Sequence, residues 1–345
     1  MLRALRFGIV GTGGIAKSYE AAFAGLDRGM LVAACDVDLA ASMAFAGRVG
    51  ATPYASFEEM AAAEQLDAVI ICTPPCTHEA IAVYCLNRGI AVLCEKPLTI
   101  SVPSAKRILA AATSSGSLFT MASKFRYVAD VRRAREIAHS GEIGDIVLIE
   151  NAFTSRVDMS NRWNSDAKLS GGGVLIDNGT HAVDILRYFL GTLTDVQIFE
   201  AKRIQGLAVE DTVRLFVRSA SGIIGTTDLS WSIDKELGTF LHIYGSRGAI
   251  LVGWKESRYH RSDSPEWHVF GSGYDKVSAF RSQIENFCDA INGTGELLIT
   301  PLDALASVEA ISAAYAALER NRWETIRSAL DDVIPFPTVA HAEAS

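Results

Sequence analysis

Asp177, His181 and Asp184 lie four and three residues apart in the stretch Gly171-Gly172-Gly173-Val174-Leu175-Ile176-Asp177-Asn178-Gly179-Thr180-His181-Ala182-Val183-Asp184. In a helix that spacing puts all three on one face. An imidazole titrating near about 6.5 is the side chain suited to take or return a proton at neutral pH. A carboxylate one turn away can orient it and raise its basicity. The same pattern also describes a packed helix with a satisfied histidine, or part of a metal site, and spacing alone does not separate the three. A second chemical group is Glu95-Lys96-Pro97, which follows the apolar run Ala91–Cys94. On its own it reads as a solvated ion pair. At the rim of an open sheet, however, the Lys96 ammonium could hydrogen-bond a substrate hydroxyl and stabilise a developing alkoxide. Pro97 would then fix the exit of the chain and the aim of Lys96.

These groups need a frame, and the first residues supply one. The run Leu5-Arg6-Phe7-Gly8-Ile9-Val10 has a strand pattern and leads into Gly11-Thr12-Gly13-Gly14-Ile15-Ala16, with helical periodicity from Lys17 to Leu26. Gly11 permits a tight turn off the strand, Gly13 lets backbone approach a pyrophosphate, and Ala16 allows close helix–strand packing. The helix start at Gly14 and Ile15 offers N–H groups and positive partial charge to that anion. A glycine-rich turn opening a helix can also bind nothing. The second strand, Leu31–Asp36, tips the balance, because Asp36 stands where an acidic residue meets the adenosine ribose. A carboxylate there accepts from the 2′-OH and repels a 2′-phosphate, so NAD is expected rather than NADP. Arg48 could reach the site but reads more simply as a solvated helix charge. A further strand, Ala68–Cys72, ends in Thr73-Pro74-Pro75-Cys76-Thr77-His78. Ligands sit outside such strand ends, so Thr73, Pro74 and His78 are candidate cofactor contacts, as are Glu95 and Lys96 at the end of the next strand. The other reading is an ordinary turn with His78 opening a helix.

Composition bounds the alternatives. The chain has 345 residues, 49% of them hydrophobic and 21% charged, with a net charge of −8. That is room for two domains and argues against nucleic acid or an anionic membrane as the main partner. The start runs straight into the first strand with no signal-type or membrane-spanning apolar segment, and the six cysteines fall mostly in apolar patterns. Both features fit a cytoplasmic protein with reduced thiols. Cys72 and Cys76 lack a matching Cys/His pair, so no metal is expected.

Up to residue 123, strands (Leu5–Val10, Leu31–Asp36, Ala68–Cys72, Ala91–Cys94, Leu118–Ala122) alternate with helices (Ala16–Leu26, Leu39–Val49, Glu79–Arg88, Ser104–Thr113). Regular alternation means βαβ units and a parallel sheet. Beyond it come a helix at Tyr127–His139, a strand at Ile146–Phe153 and a helix at Leu175–Leu190. Two-period segments follow at Val196–Arg203, Thr212–Ser219, Ile223–Trp231 and Thr239–Tyr244, then helices at Val277–Ile291 and Pro301–Glu319. Consecutive strands without helices between them point to an antiparallel or mixed sheet. The expected fold is α/β: a Rossmann dinucleotide-binding domain over residues 1–123, then an α+β substrate-binding and oligomerisation domain over 124–335 on a large, open, mostly antiparallel sheet. Residues 341–345 read as a frayed tail. Trp163, Trp231 and Lys235 are candidate pocket residues, although Trp163 also fits a half-buried core position.

Taken together, the glycine turn, Thr73-Pro74 with His78, Glu95-Lys96-Pro97, and Gly172-Gly173 leading to Asp177 and His181 resemble the glucose–fructose oxidoreductase / inositol dehydrogenase / MocA (Gfo/Idh/MocA) family over nearly the whole chain. The resemblance implies an NAD(P)-dependent oxidoreductase acting on a secondary alcohol of a sugar, cyclitol or related polyol. It implies that Lys96 polarises the reacting oxygen, that His181 is the acid/base and that Asp177 supports substrate and His181. It also implies a cis Lys96-Pro97 peptide and self-association as a homodimer or homotetramer through the open sheet. Pro75 stands where many members have asparagine, which removes one side-chain hydrogen bond near the cofactor. Phe125-Arg126 matches a feature of the domain junction, where Arg126 is a candidate substrate contact. An NAD-assisted glycosidase, recognisable by glycoside turnover without net NADH, and a non-catalytic ligand sensor are the rival readings. A sensor would have no need to keep Lys96, Asp177 and His181 together.

Overall fold

Two kinds of strand build two sheets. In the computed structural model, which describes residues 3–235 and 237–327, the first sheet is laid down by short apolar runs: β1 (Leu5–Val10), β2 (Gly29–Cys35), β3 (Thr52–Tyr54), β4 (Ala68–Ile71), β5 (Ala91–Glu95) and β6 (Phe119–Ala122). They pair in the order β3-β2-β1-β4-β5-β6, every pairing parallel. Helices α1 (Ala16–Phe23), α2 (Leu39–Val49), α3 (Phe57–Ala63), α4 (His78–Leu86) and α5 (Val102–Ser115) make the crossovers. Strands such as Ala68-Val69-Ile70-Ile71 are buried throughout, as strands covered on both faces must be. β3 and α3 carry no period that the sequence reveals. The strand is only Thr-Pro-Tyr, and a proline is tolerated at that sheet edge.

The second sheet joins nine strands in the order β14-β13-β12-β11-β7-β10-β9-β8-β15. These are β7 (Ile146–Thr154), β8 (Leu193–Glu200), β9 (Thr212–Ser219), β10 (Ile224–Ser230), β11 (Thr239–Gly245), β12 (Gly248–Gly253), β13 (Ser257–Arg261), β14 (His268–Gly271) and β15 (Glu324–Thr325). All pairings are antiparallel except β7 with β10. The helices of this half are α6 (Ala129–His139), α7 (Ala167–Ser170), α8 (Val174–Leu190), α9 (Lys276–Ile291) and α10 (Pro301–Arg320). α8 is buried on nearly every side, and its Leu175, Leu186 and Phe189 share one core with Leu215, Leu229 and Ile243 of the sheet. Among the described residues, no helix covers the opposite face of the sheet.

The boundary at 123 marks the last strand of the first sheet but not the end of its packing. Phe280, Ile284, Phe287 and Cys288 of α9 join the core of β1 and α1, with Tyr19 and Phe280 edge to face at 4.9 Å. Ala304, Leu305 and Val308 of α10 complete the other face beside Ile108 and Phe119. Those helices are amphipathic in a way that does not name the sheet they cover, so sequence order misassigns them. The last residues of the 124–335 span and the 341–345 tail lie outside the described residues. Among the described residues, no helix is long and apolar enough to cross a membrane.

Candidate active site

The glycine turn lies between the ends of β1 and β4, where the strand order reverses, the usual ligand crevice of such sheets. Gly11 has φ +90°, and a Cβ there would fall 2.8 Å from the Cys72 carbonyl carbon, so only glycine fits. A Cβ on Gly13 or Gly14 would project into open space. Ile15 caps α1 without a side-chain hydrogen bond; the Ala16 and Ser18 N–H groups bond the Gly13 and Ile15 carbonyls, and the positive end of the helix dipole faces the glycine turn. Asp36 follows β2. Its Oδ2 accepts from the Thr12 backbone N–H at 2.7 Å and from the Thr12 hydroxyl at 2.9 Å, and its Oδ1 from the Asp38 N–H at 3.1 Å. Thr12 therefore holds the Asp36 carboxylate from inside the glycine turn. The sequence reading passed over that role, because a threonine between glycines signals nothing by itself. Arg48 chelates Glu20 and is not at this site. The cradle and its fixed carboxylate fit a dinucleotide with free ribose hydroxyls.

Two expected cofactor contacts, His78 and Glu95, are buried and bonded within the protein. His78 is fully buried, its Nδ1 2.9 Å from the Leu98 carbonyl and its Nε2 2.8 Å from the Thr73 carbonyl. It ties the Thr73-Pro74 loop to the segment after Pro97, with both ring nitrogens facing backbone carbonyls. Burial pushes its pKa below the ordinary histidine value, against the pull of those carbonyls. Glu95 is also buried. Its Oε1 accepts from the Tyr19 hydroxyl at 2.8 Å and its Oε2 from the Lys96 N–H at 3.1 Å. Glu95 thus anchors the Lys96 turn to α1 rather than forming a surface ion pair with it. Desolvation raises its pKa, with the Lys96 charge opposing.

Lys96 turns instead to the second half of the chain. Its Nζ lies 2.6 Å from Asp177 Oδ1 and 3.2 Å from the Asp177 carbonyl, with both side chains half-buried. The Lys96-Pro97 peptide is cis. Asp177 occupies the first turn of α8, and the start of that helix is set by close packing. A Cβ on Gly172 would fall 1.9 Å from the Tyr315 hydroxyl, and one on Gly173 would fall 2.1 Å from the Glu210 carbonyl. The Glu210 carboxylate caps the helix in place of a local side chain, accepting from Gly173 and Leu175 N–H at 2.9 and 3.1 Å and from Tyr315 at 2.8 Å. One turn further on, His181 is buried against aromatic rings, its centroid 5.0 Å from Phe125 and 6.4 Å from Phe153. Its Nδ1 has no hydrogen-bond partner among the described residues. Burial, then the Lys96 and Lys124 charges, hold its pKa well below the usual value, so it rests as a neutral base.

The expected orienting carboxylate is not supplied to His181. Asp177 is bonded to Lys96, and Asp184 is fully buried 2.7 Å from Arg126. Arg126, a candidate substrate contact, is itself buried and also faces Asp303 at 3.4 Å, locking the Lys124–Tyr127 turn to α8 and α10. Trp163 stays 40% exposed on the 163–165 turn. The α7 helix just after it packs on the 75–77 turn. Trp231 is a core residue, and Lys235 bonds Asp228 on the open sheet face. Lys124, which the sequence reading did not select, stands close enough to Lys96, Glu95 and Asp177 to interact with their charges. Nothing in its local sequence marks it.

A Rossmann cradle facing a lysine, a carboxylate and a histidine is the layout of a nicotinamide-dependent oxidoreductase. Residues 5–123 match the oxidoreductase family with an NAD-binding Rossmann fold, and residues 131–251 match the GFO/IDH/MocA C-terminal domain. The chain belongs to the Gfo/Idh/MocA family and is an NAD-binding oxidoreductase. It is 27% identical over 343 residues to an inositol 2-dehydrogenase of Rhizobium meliloti, covering 93% of this chain and 99% of that one. It is 29% identical over 255 residues to the trans-1,2-dihydrobenzene-1,2-diol dehydrogenase of Mus musculus, covering 72% of this chain and 74% of that one. Its fold superposes on levoglucosan dehydrogenase in complex with NADH with a TM-score of 0.88 at 18% identity, over 94% of this chain and all of that one.

Proposed function

We propose that the protein is an NAD-dependent dehydrogenase acting on a secondary alcohol of a sugar, cyclitol or related polyol, with Lys96, Asp177 and His181 as its catalytic residues. One observation carries this reading: Lys96 and Asp177 meet at 2.6 Å across the two halves of the chain, with His181 one turn further along the same helix. Bound NAD supplies the hydride acceptor at the nicotinamide. Lys96 holds the substrate hydroxyl and stabilises negative charge on its oxygen as the carbon is oxidised. Asp177 keeps the ammonium aimed at that oxygen. His181, neutral and lacking a partner on Nδ1, is suited to accept the hydroxyl proton. In the reductive direction it returns that proton.

The same reading includes a homodimer or homotetramer built on the open sheet face. The support is a mixed surface that no helix covers among the described residues, with Phe199 and Phe216 6.2 Å apart next to the Arg214–Asp228–Lys235 cluster. NADH formation followed by absorbance with inositols, aldoses, ketoses and nucleotide sugars tests the reaction. Turnover of a polyol that is lost in Lys96→Met and His181→Gln supports it. Glycoside cleavage without net NADH would replace it.

A further inference from the structure

The reaction assigned to Lys96 and His181 leaves a neighbouring cation without a task. Lys124 follows β6 on the turn Lys124–Tyr127 and is half-buried. Its Nζ lies 5.4 Å from the Phe125 ring centroid, 5.8 Å from Phe280 and 5.9 Å from Tyr274. Aromatic faces attract an ammonium but do not replace the hydrogen bonds it loses with water. Among the described residues no carboxylate or carbonyl bonds it.

The acidic groups nearby are engaged elsewhere. Asp177 is bonded to Lys96, and both Glu95 oxygens take hydrogen bonds from Tyr19 and the Lys96 N–H. Burial raises the Glu95 pKa, and its charge supports the Lys124 ammonium without a hydrogen bond to it. Positive charge gathers meanwhile. Lys96 presses on Lys124, and Lys276 stands 5.9 Å over the same Phe280 ring at the N-terminus of α9, where the helix dipole adds to it. Desolvation first and Lys96 second hold Lys124 down to about 8. Phe125, the next residue, lies 5.0 Å from the His181 ring, so this cation borders the reacting site.

We infer that Lys124, backed by Lys96, receives a carboxylate carried by the substrate, which makes the substrate a sugar-type hydroxy acid, an aldonate or uronate, rather than a neutral polyol. The inference rests on Lys96 and His181 being the reacting site. A carboxylate on Lys124 forms a charge-assisted hydrogen bond and fixes which carbinol lies against His181.

Matched pairs test it: glucose against gluconate and glucuronate, galactose against galacturonate, and glucose 6-phosphate, each with NAD and NADH absorbance. The acids are expected to exceed their neutral partners in kcat/KM by ~10-fold or more. Lys124→Met, checked for cooperative melting, should raise KM for the acid by a similar factor and close that gap, and Lys124→Arg should keep part of it. In the wild type, KM for the acid should rise as Lys124 loses its proton above pH 8, and Lys124→Met should lack that limb. Neutral sugars used as well as the acids overturn the inference, and so does a gap that Lys124→Met leaves intact. A phosphate ester preferred over the acids overturns the carboxylate assignment. If no compound is oxidised, the dehydrogenase reading fails. Calorimetric titration of glucuronate into the NADH-bound protein then decides the receptor: binding lost in Lys124→Met supports it, and no binding overturns it.

Discussion

Lys96 Nζ and the Asp177 carboxylate meet at 2.6 Å although 81 residues separate them in the chain. One leaves the end of β5 in the parallel sheet, and the other sits on the first turn of the helix that fills the core of the second sheet. The contact brings a cation to the rim of the dinucleotide crevice and holds it from the far side. Mutations at either end should therefore affect chemistry more than cofactor binding.

For Lys96→Met the expected loss in kcat is on the order of 10²–10³-fold, that of a single donor to a developing charge. NADH affinity, read by fluorescence titration, should stay within about threefold of wild type. Asp177→Asn should show a smaller loss of the same kind, because the lysine remains but loses its aim. Turnover near wild type in a folded Lys96→Met protein would remove Lys96 from the reaction.

His181→Gln should lower kcat by about 10²–10⁴-fold, as for loss of a general base. The sign of the pH effect follows from the depressed pKa. Oxidation needs the neutral imidazole, so activity is complete above the depressed value and falls as pH drops through it. That acidic limb should begin below the ordinary histidine range and should vanish in His181→Gln. A limb that persists unchanged in the variant belongs to another group.

Asp36 should make NAD preferred over NADP by ~10-fold or more in kcat/KM, equivalent to about 1.4 kcal/mol. Thr12 bonds the same carboxylate through its N–H and its hydroxyl. Thr12→Val, which keeps the backbone contact and removes the hydroxyl, should narrow the preference without reversing it. Equal efficiency with NADP in the wild type would refute the role of Asp36.

Arg126→Leu tests the buried junction rather than the chemistry. It leaves Asp184 fully buried without its 2.7 Å partner. Removing one member of such a pair costs about 3–5 kcal/mol. Chemical denaturation should show that loss, and Arg126→Leu/Asp184→Leu should recover part of it. A single variant as stable as wild type would contradict the role.

Much of this protein is legible in its residues taken in order. The glycine turn, the acidic end of the second strand at Asp36 and the regular strand–helix alternation define the parallel sheet, because tight turns and apolar runs are local properties of a few consecutive residues. The four-residue step from Asp177 to His181 is likewise a property of one helix. The short strands β12, β13 and β14 escaped because β13 is a polar five-residue strand and β14 a four-residue strand at the sheet edge, with little alternation in either. Partnership is what consecutive residues do not encode. That Glu95 turns inward to Tyr19, that Asp177 serves Lys96 while Asp184 serves Arg126, and that Lys124 stands beside them all depend on how α8, α9 and α10 return across both sheets. Burial and charge pairing are set by residues far away in the chain. Tertiary structure therefore decided which ionisable groups meet at the candidate site and which ones hold the two halves together.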